Sequence, residues 1–166
     1  NQLINNTYIL SKIISEYILL NNLNETNITI LRPSSIYGPG LSSDKIINKF
    51  LRQAYEGKEI LLTNPNNITN LIYSEDVARA CLSVLNQKGL NVYTLKAKKN
   101  ISFLKIAKEC IKVCGSGKIK VTRNDLSTKL IFEGDGHKIE KELGFYPIFS
   151  LSKGLKKILK MKSFYN

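Results

Sequence analysis

The sequence has no apolar run near the roughly 20 residues that a membrane-spanning helix needs. Its longest apolar helical stretch is broken by Ser15 and Glu16. No charged n-region precedes an apolar core, so no secretory leader is visible. A membrane is therefore not an expected partner. Cysteine is scarce: Cys81, Cys110 and Cys114 cannot all pair, and an odd, low count fits a reducing compartment such as the cytoplasm. Cys110 and Cys114 are four residues apart and would share a helix face. A metal site there needs further ligands, and His137 is the single histidine, so the cysteines are expected to be small buried hydrophobes and no metal is expected. Arginine is scarce too, at four of 25 basic residues. Base readers favour the bidentate guanidinium, and no aromatic–basic interleaving appears, so nucleic acid is not an expected partner. Gly115-Ser116-Gly117-Lys118 lacks the spacing of a phosphate loop and follows a helical pattern, which makes it a helix stop.

What remains is one ordinary globular domain, or a large piece of a bigger one. The chain has 166 residues, 43% apolar and 23% charged. The net charge of +12 is unevenly spread, with +1 over residues 1–95 and +11 over residues 96–166. Such an excess of Lys favours an anionic ligand. Apolar residues at three- and four-residue steps predict a helix over the first 23 residues. Ile28–Leu31 reads as a strand, and Pro33 with Gly38-Pro39-Gly40 predicts a loop after it. A helix capped by Ser42, Ser43 or Asp44 runs to about Tyr55. Strands follow at Glu59–Leu62 and Thr69–Tyr73, then a Ser74-capped helix Glu75–Leu85, a strand Val92–Leu95 and a Ser102-capped helix. A short strand Ile119–Thr122 and helices at Lys138–Leu143 and Leu151–Met161 finish the chain. Strands alternate with helices almost throughout, which predicts an α/β fold.

Tyr8 and Lys12 stand at i and i+4, so both project from one helix face. An ammonium beside a phenol favours its ionised form. A phenolate in a cleft can take a proton from an alcohol while a hydride leaves the same carbon. By spacing alone the pair reads equally well as a surface Tyr–Lys contact. Its context is more specific. Leu31-Arg32-Pro33-Ser34-Ser35-Ile36-Tyr37-Gly38-Pro39-Gly40 follows twenty residues later. Ile72-Tyr73-Ser74-Glu75-Asp76-Val77-Ala78-Arg79-Ala80, Asn91-Val92-Tyr93, Asp135-Gly136-His137-Lys138, Glu142-Leu143-Gly144-Phe145-Tyr146-Pro147 and Gly154-Leu155 follow in order. This ordered set resembles the C-terminal half of the extended short-chain dehydrogenase/reductases, the NAD-dependent epimerase/dehydratase family that acts mostly on nucleotide sugars.

The resemblance implies the C-terminal part of a Rossmann-type doubly wound parallel sheet plus a small α/β substrate-binding region. Residues 1–40 would supply the active-site helix and a core strand, and residues 41–166 mainly the substrate-binding region. Tyr8 would be the catalytic acid/base. Lys12 would hold the nicotinamide ribose of NAD or NADP, and Pro33, Ser35 and Ile36 would border the nicotinamide. Ser35 would also touch substrate, at a place where many members carry Asn. Thr69 stands where nucleotide-sugar epimerases commonly place a diphosphate-gripping Arg, and Arg123 could supply part of that charge. Asp76 and Asp135 read as helix-start residues, and Tyr37 with its Gly-Pro-Gly turn as scaffold. The resemblance further implies an epimerase, dehydratase or reductase acting on a nucleotide sugar, and a homodimer that pairs the Tyr-bearing helix in a four-helix bundle.

No G-x-x-G-x-x-G loop precedes Tyr8, nor does a strand carrying the family's catalytic Ser/Thr. The chain also begins at Asn1 rather than Met. The expectation is a C-terminal fragment, inactive alone, whose first helix and strand expose an apolar patch and a bare sheet edge. The alternative is a non-catalytic remnant acting as a binding or interaction module.

Overall fold

The computed structural model describes residues 7–22, 27–40, 45–123 and 134–161. Helix α1 (Thr7–Asn22) leads to strands β1 (Ile28–Pro33) and β2 (Ser35–Tyr37). Helix α2 (Ile46–Tyr55), strands β3 (Glu59–Thr63), β4 (Ile68–Thr69) and β5 (Leu71–Tyr73), and helix α3 (Ser74–Ser83) follow. Then come β6 (Leu90–Leu95), β7 (Ile101–Ser102), α4 (Phe103–Cys114), β8 (Lys118–Arg123), α5 (His137–Leu143) and α6 (Leu151–Leu159). The fold is α/β, as expected. The proposed caps at residues 42–44 and the first six residues of the expected first helix lie outside the described residues.

Strands pair two by two. β1 runs parallel to β6, from Ile28 opposite Leu90 to Pro33 opposite Leu95. β2 runs parallel to β5, β3 runs parallel to β8, and β4 is antiparallel to β7. Two cores flank β5. Its alternation sends Leu71 and Tyr73 into one and Ile72 into the other. The larger core takes Ile47, Phe50, Leu51 and Ala54 from α2, at helical spacing, with Ile60 and Leu62 from the alternating strand β3. α4 adds Ile106, Ala107 and Cys110, and α6 adds Leu155 and Ile158. Each fully buried aliphatic or aromatic side chain contributes about 1.5–3 kcal/mol relative to exposure. The smaller core joins Ile72, Ala80, Tyr93, Leu95, Ile139 and Phe145.

Tyr37 fixes the seam between β2 and α6. It is 1% exposed, stacks edge-on to Tyr73 with centroids 5.3 Å apart, and donates its hydroxyl proton to the Ser150 carbonyl at 3.3 Å. Gly154 makes room for it: a Cβ there would sit 2.4 Å from the Tyr37 hydroxyl oxygen. Tyr37 is scaffold, as its sequence context suggests.

Several sequence expectations need correction. Ser35–Tyr37 is a strand, not a loop, because pairing with Leu71–Tyr73 outweighs the flanking Pro and Gly. The expected strand Thr69–Tyr73 is split at Asn70, since its two halves pair with different partners, β7 and β2. Ser74 is the first helical residue of α3 rather than its cap, and Tyr73 is the N-cap with no side-chain bond. Cys81 is exposed, whereas Cys110 is buried and Cys114 partly so. Other local expectations match. Ser102 accepts from the Lys105 amide at 3.2 Å, Asp135 accepts from the His137 amide at 2.9 Å, and Gly115 closes α4 in the left-handed region.

Burial pushes the Tyr37 phenol and the Cys110 thiol well above their ordinary values, Tyr37 further by the nearby Tyr73 and Asp76. Tyr73 shifts upward for the same main reason. Groups raised in the folded state support stability that is complete below their unfolded values and is lost as pH climbs past them. Urea midpoints are therefore expected to hold near neutrality and fall above roughly pH 8.5–10, where unfolded Cys and Tyr ionise. A midpoint constant to about pH 11 would contradict this burial.

Candidate active site

Helix α1 carries Tyr8, Lys12 and Glu16 at successive four-residue steps, along one face. The Lys12 ammonium lies 5.4 Å from the centroid of the Tyr8 ring. One turn on, the Glu16 carboxylate accepts two hydrogen bonds from Arg32 Nε, at 3.0 and 3.1 Å, and pairs with its terminal guanidinium nitrogen. Those bonds hold the Arg32 guanidinium above its ordinary pKa. Arg32 directly precedes Pro33 at the C-terminal end of β1. The ion pair thus keys the Tyr8/Lys12 face to the end of the strand that leads into Pro33–Ile36. Pro33 and Ser35 are exposed and Ile36 is half-buried, while Ser34 between them is buried.

The rest of α1 is open. Ile13, Tyr17 and Ile18 are each more than half exposed, as is Tyr8 at 68%. Among the described residues β1 pairs with β6 alone. The expected apolar patch and bare sheet edge are therefore both present on the described chain.

Ser35 and Thr69 meet through Asn70. The Ser35 amide donates to the Asn70 carbonyl at 3.2 Å, and Thr69, opposite Ile101 in the β4–β7 pair, is its neighbour in the chain. Arg123 closes β8 opposite Thr63, in a different strand pair, and its side chain lies outside the described residues. Tyr8 and Lys12 are thus brought together, as are Ser35 and Thr69, while Arg123 stands on another pair.

Two buried polar residues organise this end of the molecule. Asp76, fully buried, accepts from Arg79 at 2.9 Å and from the amides of Ile148 at 3.0 Å and Phe149 at 3.1 Å. It therefore anchors the segment leading into α6. Asn70, also fully buried, has a larger set of partners, and the sequence reading did not single it out. The available signal was an amide inside the apolar run Ile68–Tyr73. A cavity of about 750 Å³ opens between residues 96–98 and α5. None of the residues expected at the site lines it, and its Lys96 already donates to the Gly134 carbonyl at 2.7 Å.

Among the described residues no helix is long and apolar enough to cross a membrane. The sequence pattern of the NAD dependent epimerase/dehydratase family matches residues 3–95. A trifunctional UDP-glucose 4,6-dehydratase, UDP-4-keto-6-deoxy-D-glucose 3,5-epimerase and UDP-4-keto-L-rhamnose-reductase of Arabidopsis thaliana is 28% identical over 133 residues, covering 77% of this chain and 20% of that protein. The dTDP-D-glucose 4,6-dehydratase of Bos taurus is 31% identical over 88 residues, covering 52% of this chain and 25% of that one. Among solved structures, a UDP-glucuronic acid 4-epimerase of Bacillus cereus, in complex with UDP-glucuronic acid and NAD, superposes with a TM-score of 0.76 at 23% identity, over 92% of this chain and 52% of that one. A dTDP-glucose 4,6-dehydratase of Streptomyces venezuelae with NAD bound gives 0.75 at 22% identity, over 95% and 50%. The chain spans 20% and 25% of the length of these two curated relatives, and about half of the solved chains. The α/β architecture is thus that of part of a Rossmann-type sheet with its attached region, and with more than half of its length matched the chain belongs to the NAD dependent epimerase/dehydratase family.

Proposed function

We propose that this chain supplies the acid–base helix and nicotinamide wall of an NAD(P)-dependent epimerase, dehydratase or reductase acting on a nucleotide sugar, and that it is inactive alone. The observation that carries the reading is the keying of the Tyr8/Lys12 face, through Glu16 and Arg32, to the C-terminal end of β1. In open α/β sheets, ligands sit in the crevice beyond the carboxyl ends of the strands. The exposed Pro33 and Ser35 and half-buried Ile36 leave that place open, so the residues present fit a nicotinamide ring there.

In this reading Tyr8 takes the proton of a sugar hydroxyl. Lys12 holds the ribose of the cofactor and favours the phenolate. A nicotinamide held between Lys12 and the Pro33–Ile36 wall would supply hydride acceptance at the same carbon. Ser35 offers a hydroxyl to the sugar. Thr69 is uncharged, so the diphosphate must find its cations elsewhere, with Arg123 the candidate. The solvent-facing Ile13, Tyr17 and Ile18 of α1 suit a homodimer formed through that helix.

The test mixes the 166-residue chain with NAD⁺ and UDP-glucose or dTDP-glucose and follows conversion of the sugar nucleotide itself, since an epimerase or dehydratase regenerates its cofactor each turnover, with and without a polypeptide bearing a G-x-x-G-x-x-G loop and a catalytic Ser/Thr. Turnover is expected only in the joined form. Absence of turnover in both, with both ligands failing to bind, would favour the second reading, a non-catalytic binding module, which the uncharged Thr69 supports.

A further inference from the structure

We propose that Asn70 is a positioning residue that locks the Ser34–Ser35 wall to the loop after β6, so that the two segments move as one unit. The inference rests on the functional reading above for the importance of that wall, but the lock itself stands on geometry. Asn70 is 0% exposed. Its Oδ1 accepts from the Ala97 amide at 2.7 Å and from the Ser34 hydroxyl at 3.0 Å. Its Nδ2 donates to the Ala97 carbonyl at 3.0 Å and to Asn100 Oδ1 at 2.9 Å, with the Lys99 carbonyl at 3.4 Å. Its backbone carbonyl takes the Ser35 amide.

The side chain therefore pairs with Ala97 as a neighbouring strand would, by one donor and one acceptor. The amide is needed in full. A carboxylate of the same shape would set an oxygen against the Ala97 carbonyl and Asn100 Oδ1, with no proton between them. The surroundings explain why an amide stands here. Asn70 is the break between β4 and β5, and its backbone serves β2 while its side chain serves the loop beyond β6. Ser34 adds a second link, because its own amide donates to the Leu95 carbonyl at 2.7 Å. The segment that would border the cofactor is thereby bonded to the end of β6 and, through Asn70, to residues 97–100.

The experiment is residue-resolved amide exchange on the 166-residue chain, comparing wild type with Asn70→Asp, Asn70→Ala and the milder Ser34→Ala. In the Asn70 variants exchange at Ser35 and Ala97 is expected to rise together by roughly tenfold or more, while Ile106 and Ala107 in α4 stay at the wild-type rate. Ser34→Ala is expected to raise exchange at Ala97 severalfold, since Ala97 meets Ser34 through the shared Asn70 oxygen. That variant decides the matter should the Asn70 variants fail to fold. The Ser35 and Ala97 amide resonances should also shift together in every variant. A uniform rise across α4 would make Asn70 a general structural residue and overturn the proposal, as would unchanged exchange at either loop. Adding UDP-glucose and NAD⁺ to wild type joined to the polypeptide that bears the G-x-x-G-x-x-G loop separates the two readings: no response to either ligand counts against the proposed function and leaves the exchange result intact.

Discussion

Tyr8→Phe is expected to cut turnover of the cofactor-competent enzyme by about a hundredfold to ten-thousandfold, the range in which a positioned acid–base group acts. Binding of NAD⁺ should change little, because the aromatic ring and its contact with the Lys12 ammonium survive the substitution. The substitution removes a single oxygen from a side chain that is 68% exposed on the described chain, so folding should be unaffected. Turnover and cofactor affinity, measured on the same preparation, separate chemistry from binding. Near-wild-type turnover would remove Tyr8 from the mechanism, and a parallel loss of NAD⁺ affinity would recast it as a binding residue. Lys12→Met should show the complementary pattern, with cofactor affinity and turnover falling together.

The local grammar of the chain was legible wherever one signal sufficed. Ser102 caps its helix by accepting an amide three residues on, and Gly115 ends its helix in the left-handed region. The helix running to about Tyr55 and the strand Glu59–Leu62 were both read from local signals, and both are present as α2 and β3. The expected cap Ser74 apart, expectations of strand and loop failed where pairing at long range decided the outcome. Pro33 and Gly38 marked a loop by local rules, yet Ser35–Tyr37 found β5 some 36 residues away. The run Thr69–Tyr73 looked like a single strand because nothing local says that its halves serve different sheets.

The site divides in the same way. Tyr8 and Lys12 lie within one turn of a helix, so spacing alone brings them together. That their helix face is tied to the end of β1 rests on the Glu16–Arg32 pair, which no spacing rule could supply. Asn70 was missed because its partners Ser34, Ala97 and Asn100 lie tens of residues away on either side. Asp76 was read as a helix-start residue, and its place in the first turn of α3 agrees. Its real partners, the amides of Ile148 and Phe149, lie 72 and 73 residues downstream. A buried polar residue with distant backbone partners leaves little trace in its own neighbourhood.

Asp76→Ala is expected to cost about 3 kcal/mol, from two buried amides left without acceptors at roughly 1–3 kcal/mol each. Arg79 should add little, since its side chain is 38% exposed and can turn to water. Against a domain stability of about 5–15 kcal/mol this is a large fraction, readable as a shift of the urea midpoint. Asp76→Asn should cost less, because one oxygen still accepts while the amide group meets the Phe149 N–H. Equal midpoints for wild type and Asp76→Ala would show that the carboxylate holds nothing. The consequence should reach the proposed cofactor wall. Ile148 and Phe149 lead into Ser150, whose carbonyl takes the Tyr37 hydroxyl and whose side chain caps α6. Releasing that segment frees Tyr37, and with it β2, whose first residue is Ser35. Loss of Asp76 is therefore expected to loosen the wall from the α6 side, as loss of Asn70 would loosen it from the β6 side.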